Sequence, residues 1–170
     1  ENTQWSDGTT ADKTYTFVIS KKPIAIPAED ATVFTYNGSE QTYALAEDAA
    51  YTITGNVQTN ANETGYTVTV ALKDTDNTQW ADGTTADKTY SFVIKKAVVT
   101  ITVKDKRAFV GTDAPDLSKA AADEDYTVSG LVGTDTLGGT ITLAYAADLD
   151  MTKIGTAAIK ASGATASDNY

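Results

Sequence analysis

Residues 2–19 read NTQWSDGTTADKTYTFVI and residues 77–94 read NTQWADGTTADKTYSFVI. Sixteen of the eighteen positions are identical at an offset of 75, and only Ser6/Ala81 and Thr16/Ser91 differ. A match of this length is a duplication, and it constrains the fold before any other feature does. Each copy runs into a basic doublet, Lys21-Lys22 before Pro23 and Lys95-Lys96 before Ala97. Taken as junctions, the doublets divide the chain into the tail of one repeat (1–22), a complete repeat (23–96) and a third unit (97–170). A spacing of this size exceeds the period of leucine-rich or tetratricopeptide solenoids and fits a string of small β domains.

Side-chain alternation predicts β-structure throughout. In Lys13–Ile19, Tyr15, Phe17 and Ile19 fall on one face and Thr14, Thr16 and Val18 on the other. Tyr90, Phe92 and Ile94 repeat the pattern, and Tyr66–Leu72 and Val99–Val103 alternate in the same way. Asn37-Gly38, after Ala31–Tyr36, is a hairpin signal, because both residues tolerate positive φ. Asp82-Gly83, Gly55-Asn56 and Gly138-Gly139 mark further turns. Ala44–Ala50 and Leu117–Asp125 tolerate helix but are short, and are read as loops or single turns. The expected fold class is all-β, with small domains in tandem.

Composition removes many functions. The 170 residues carry 13 Lys+Arg against 23 Asp+Glu, a formal charge of −10, with no His, no Cys and one Met. Without His or Cys there is no Ser-His-Asp triad, no Cys-His pair, no His-ligated catalytic zinc and no zinc finger. The acidic balance repels phosphate backbones, so nucleic acid and anionic membranes are not expected partners. No apolar run approaches the roughly 20 residues of a transmembrane helix, and no signal peptide opens the chain. The start at Glu1 is that of an excerpt from something longer. Absent Cys, abundant Thr, scarce Met and negative charge together point to an exported bacterial surface protein.

The segments YNGSEQTYAL (36–45), YTITGNVQTNANETGYTVTVALKD (51–74) and WADGTTADKTYSFVIKKA (80–97) stand in the order of three motifs: Y-x-G-x-x-Q, G-x-Y-T-V-T-V-x-L-K-D and W-x-D-G-T-T-x-x-K. On these residues 23–96 resembles an Ig-like repeat family of large surface proteins of Gram-positive and gut bacteria. It departs from that family at Gly65, which directly precedes Tyr66. The third unit has Ile101-Thr-Val-Lys-Asp, Val110-Gly-Thr-Asp-Ala-Pro-Asp-Leu117, Tyr126–Leu137, Ile154–Ile159 and Asp168-Asn-Tyr170. It resembles the related MBG-type repeat, with Val110 and Ala157 where tyrosines are usual, and is expected to lack its closing hairpin. The resemblance implies extracellular, wall-attached or secreted stalk repeats that sometimes act as adhesive modules, and it implies no enzyme.

Glu29/Asp30, Asp74/Asp76 and Asp123-Glu124-Asp125 are the carboxylate groups a glycosidase would need, but 23 acids make such clusters ordinary, and solvated loops are the expectation. The segments that could hold structural calcium are Asp74-Thr-Asp76-Asn77 and Asp113-Ala-Pro-Asp116. In the first, Gln79 and Thr85 stand where an EF-hand loop needs Gly and Glu, so a plain turn is preferred. Trp5 and Trp80, each before an Asp-Gly turn, are read as core or corner anchors rather than sugar platforms. Tyr36, Tyr43, Tyr51 and Tyr66 are expected to divide between core and surface. Lys73, Lys88 and Lys95 are the lysines near strands that an isopeptide crosslink would require, with nothing in the sequence to place an Asn opposite. Asn37-Gly-Ser39 and Asn62-Glu-Thr64 match glycosylation sequons and are read as coincidence.

No catalytic, cofactor-binding or metal-ligating residue is therefore assigned. The expectation is tandem Ig-like or β-grasp-like domains in an extended array, serving as stalk or spacer of a bacterial cell-surface or secreted adhesin-like protein. Neighbouring repeats are the expected partners. Two alternatives stand beside it: a module binding host glycans or mucin, and head-to-tail self-association. In the latter, residues 1–22 of one chain complete the open 97–170 unit of the next. Against it stands the plainer reading, that the boundary is simply where an excerpt was cut.

Overall fold

The computed structural model describes residues 3–170, and among them are twelve β-strands and no helix. Glu1 and Asn2, the opening residue of the first copy of the repeat, lie outside the described residues. In chain order the strands are β1 (Lys22–Ile24), β2 (Phe34–Thr35), β3 (Gln41–Thr42), β4 (Tyr51–Thr54), β5 (Val57–Gln58) and β6 (Asn62–Leu72). Then come β7 (Thr78–Trp80), β8 (Lys88–Lys95), β9 (Thr100–Val103), β10 (Tyr126–Ser129), β11 (Gly138–Tyr145) and β12 (Ile159–Thr165).

Within 23–96 the long alternating strands make the framework. A four-stranded sheet has the order β2-β8-β6-β4, with β6 antiparallel to both β4 and β8 and β2 parallel to β8. Alternation places Val68, Val70 and Leu72 of β6 and Phe92 and Ile94 of β8 on one buried face. Two ribbons, β1 parallel to β7 and β3 antiparallel to β5, supply the opposing layer. Ile24 and Trp80 pack against Tyr51, Val70 and Leu72, while Tyr36 and Tyr43 pack against Val68, Phe92 and Ile94. The result is sandwich-like. Trp80 is fully buried, lies tilted against the Tyr51 ring with centroids 5.6 Å apart, and donates its indole N–H to the Ala86 carbonyl at 2.8 Å. Burying each of these large side chains contributes about 1.5–3 kcal/mol.

Residues 97–170 form two separate antiparallel pairs, β9 with β10 and β11 with β12. Their apolar interior is thinner: Leu117 and Leu143 are the buried hydrophobics there among the described residues. One motif shows how context redirects a strand. Tyr51-Thr-Ile-Thr-Gly55 and Tyr126-Thr-Val-Ser-Gly130 match at the same offset of 75, yet β4 pairs with β6 while β10 pairs with β9. Both glycines close their strand at positive φ (78° and 87°) against a neighbouring backbone. A Cβ at Gly55 would lie 2.3 Å from the Thr67 carbonyl oxygen, and one at Gly130 2.1 Å from that of Val98.

Three local expectations are corrected. Lys13–Ile19 is not a strand, because among the described residues no backbone lies beside it to complete a ladder; its twin β8 sits between two partners. Asn37-Gly38 does not close a hairpin, since β2 before it joins β8 and β3 after it joins β5. Gly138-Gly139 lies inside β11, where the register shifts between Gly139 and Thr142, so these glycines make a bulge rather than a turn.

What the two copies of the repeat share is their turn. Trp5 donates its indole N–H to Ala11 O at 2.9 Å as Trp80 does to Ala86 O, and each backbone turn closes with the same pair of bonds. Asp82 accepts from Thr84 N at 3.0 Å and pairs with Lys88 at 2.6 Å; Asp7 bonds Thr9 and Lys13 in the same way. The Lys88 ammonium, with the Thr84 hydroxyl and amide, lowers the Asp82 pKa to about 2. The native state thus favours the charged carboxylate, a preference present above the ordinary Asp range and lost as pH falls through about 2. Carboxyl NMR titration is expected to give a midpoint near about 2 for Asp82, and Lys88→Met to move it up towards the ordinary value.

Candidate functional site

The most built polar site joins residues 23–96 to residues 97–170. Asp135 Oδ2 accepts from the phenols of Tyr36 and Tyr170, both at 2.9 Å. Val132 N donates to the Tyr170 hydroxyl at 2.7 Å, so that oxygen is satisfied as both donor and acceptor. The two rings meet edge to face, with centroids 5.8 Å apart. Asn169 completes the contact: its side-chain carbonyl accepts from Ala61 N at 2.8 Å and its backbone carbonyl from Ala97 N at 2.8 Å. Val132 and Tyr170 also pack against the cluster of Tyr36, Tyr43, Val68, Phe92 and Ile94, making one interior continuous across the junction.

Electrostatics follow from this geometry. Hydrogen bonding to the Asp135 carboxylate raises the Tyr36 pKa, with burial and the negative charge adding to it. Burial raises that of Tyr170, with Asp135 contributing. The neutral phenol is thus the form that fits at both positions.

The junction uses a device that occurs twice. Lys22 N donates to Asn77 O at 2.8 Å, and Ala97, 75 positions later, donates to Asn169 O at the same distance. Lys22 ends its basic doublet and Ala97 directly follows the second one, and each binds an Asp-Asn segment, Asp76-Asn77 or Asp168-Asn169. Sequence reasoning picked out Tyr36, Asp168-Asn169-Tyr170 and the Tyr126–Leu137 motif that contains Asp135, but missed their meeting. The recurrence of Asp-Asn was the available signal. Nothing local in Gly133-Thr-Asp135 announces a partner 99 positions away.

The other candidates are placed as follows. Asp30 accepts from Ala44 N at 2.7 Å and Thr32 N at 2.9 Å, bracing a loop. Asp74 caps its own turn through Asp76 N, Asn77 N and the Asn77 amide. Asp125 pairs with Lys106 and accepts from Ala121 N, next to Asp123 with its positive φ of 65°. Asp116 caps Ser118. Among the described residues no group of three or more acids is arranged to hold a metal ion. Trp80 is the core anchor expected of it and cannot reach a ligand, whereas Trp5, expected to be an anchor too, is 52% exposed. Tyr36, Tyr43 and Tyr51 are buried and Tyr66 is half-buried. No lysine is buried among the described residues: Lys73 donates to Ala49 O, Lys88 pairs with Asp82, and Lys95 is exposed. Asn37 bonds Ser39 N, and Asn62 accepts from Thr64 N and Gly65 N to shape the start of β6.

Comparison with family models, curated proteins and solved structures returns no match to this chain.

Proposed function

We propose that this chain is a spacer: tandem Ig-like and MBG-type repeats of a bacterial cell-surface or secreted protein whose work is to hold a distal region at a distance. The observation that carries the reading is the junction at Asp135. A flexible linker would leave Lys95-Lys96-Ala97 free, but here Tyr36 bonds Asp135, Ala61 and Ala97 bond Asn169, and Lys96 bonds the Tyr170 backbone carbonyl. Bonds to a carboxylate contribute about 1–3 kcal/mol each, enough to favour one orientation over a range of orientations. The net charge of −10 discourages lateral clumping of neighbouring copies.

The test is a loss of stiffness. Asp135→Ala removes the shared acceptor and is expected to broaden the distribution of lengths in small-angle X-ray scattering while leaving the 23–96 core folded. An unchanged distribution would remove the mechanical basis of the reading. A pH series gives a second check. The raised tyrosine pKa values mean that the junction's stabilisation is complete below the ordinary tyrosine value near 10 and is lost as pH rises above it. Scattering curves at rising alkaline pH are expected to approach that of Asp135→Ala, and Tyr36→Phe to weaken the dependence.

Binding to immobilised mucin and a broad glycan panel separates spacer from adhesive module. No saturable binding is expected. Saturable, salt-resistant binding lost in Trp5→Ala would replace the spacer reading.

A further inference from the structure

The two ends of the 23–96 repeat are fastened to each other along their length. Residues 22–36 carry β1 and β2, residues 77–95 carry β7 and β8, and β1 is parallel to β7 as β2 is to β8. Further bonds tie the same two runs in the same order. Lys22 N donates to Asn77 O and Ala81 N to Ile24 O, both at 2.8 Å. The Tyr90 hydroxyl donates to Pro27 O at 2.6 Å, and Tyr36 N to Lys95 O at 2.9 Å. Just ahead of them the Lys21 ammonium donates to Thr75 O at 2.7 Å. Apolar contacts follow the same line: Ile24 packs with Trp80, and Phe34 meets Phe92 edge to face at 4.8 Å.

The runs also enter and leave at opposite ends. Ile24 packs with Leu72, the last residue of β6, whereas Ile94 pairs with Asn62, its first. The 11 residues of β6 set those two levels about 35 Å apart. Tension along the chain therefore draws residues 22–36 one way and 77–95 the other, along the strand axes. The bonds of a parallel ladder are evenly spaced, so sliding its strands past one another loads all of them together. Pulling the same strands apart from one end breaks the bonds singly, at lower force.

We propose that 23–96 is a tension-bearing module in which residues 22–36 and 77–95 form a clamp loaded in shear between Lys21 and Ala97. The proposal rests on the spacer reading only for the origin of the load, a distal region drawn away from the surface. The clamp itself follows from the direction and the bonding of the two runs.

The chain contains no Cys, so pairs of cysteines introduced at exposed positions fix the direction of pull. In the full chain, Ser20→Cys/Val98→Cys loads the clamp in shear, while Ser20→Cys/Asp76→Cys pulls both runs from their shared end and unzips them. Optical tweezers at one pulling rate are expected to give a rupture force several-fold higher for the first pair. Forced unfolding follows the barrier rather than the equilibrium stability, so with matching urea midpoints the two pairs differ in direction alone. Tyr90→Phe keeps the ring and deletes its bond to Pro27. It should lower the force between 20 and 98 and leave that between 20 and 76 unchanged, because unzipping starts at Lys22. Equal forces along the two directions would overturn the proposal, and so would a 20–98 force that Tyr90→Phe does not move. These forces do not pass through Asp135, so they and the scattering test of the spacer can fail separately.

Discussion

Replacing Phe92 by alanine is expected to cost about 3–5 kcal/mol of stability, while replacing Phe17 by alanine changes it by less than about 0.5 kcal/mol. The two residues occupy matching positions in segments that share sixteen of eighteen residues. Phe92 is fully buried and touches the rings of Phe34, Tyr43 and Tyr66, so its removal loses both transfer energy and contacts around the resulting cavity. Phe17 is 88% exposed and has no such neighbours. Urea unfolding at low micromolar concentration, where copies are apart, checks both. A cost for Phe17→Ala comparable to that of Phe92→Ala would mean that 13–19 is packed within its own chain.

Gly130→Ala is expected to destabilise residues 97–170 by at least about 2 kcal/mol, and Gly55→Ala to do the same to residues 23–96. Each substitution combines the strain of an L-residue at positive φ with a Cβ driven into a neighbouring carbonyl, Val98 O in one case and Thr67 O in the other. A flexible side chain can swing away from such a clash, but a strand backbone cannot do so without giving up its own pairing. Hydrogen exchange separates the two effects: Gly130→Ala should accelerate exchange in β9 and β10, and Gly55→Ala in β4 and β6. Acceleration spread equally over both regions would show that the junction makes them a single cooperative unit.

The same pairs of residues show what is legible in the sequence alone. The all-β class could be read from alternation in Tyr66–Leu72 and Lys88–Lys95, and the Asp-Gly turns from residue chemistry alone. Both copies of the Trp turn close identically, because their bonds span only six positions or fewer. The reading of Trp80 as an anchor was also available. Strand partnership was not: Asn37-Gly38 looked like a hairpin because a turn says nothing about which backbone will lie beside the strands it joins. The junction was hidden for the same reason, as Asp135 reaches Tyr36 across 99 positions and Asn169 reaches Ala61 across 108.

The repeat itself makes the division plain. From sequence alone, residues 2–19 and 77–94 had to share a turn and the capacity to form a strand with Tyr, Phe and Ile on one face. Only the tertiary structure decided that 88–94 would be the centre of a sheet and 13–19 would not, because a strand exists through its neighbours. β6 and β2 satisfy the backbone of β8 while Tyr36 and Tyr43 cover its apolar face, and among the described residues no segment does so for its twin.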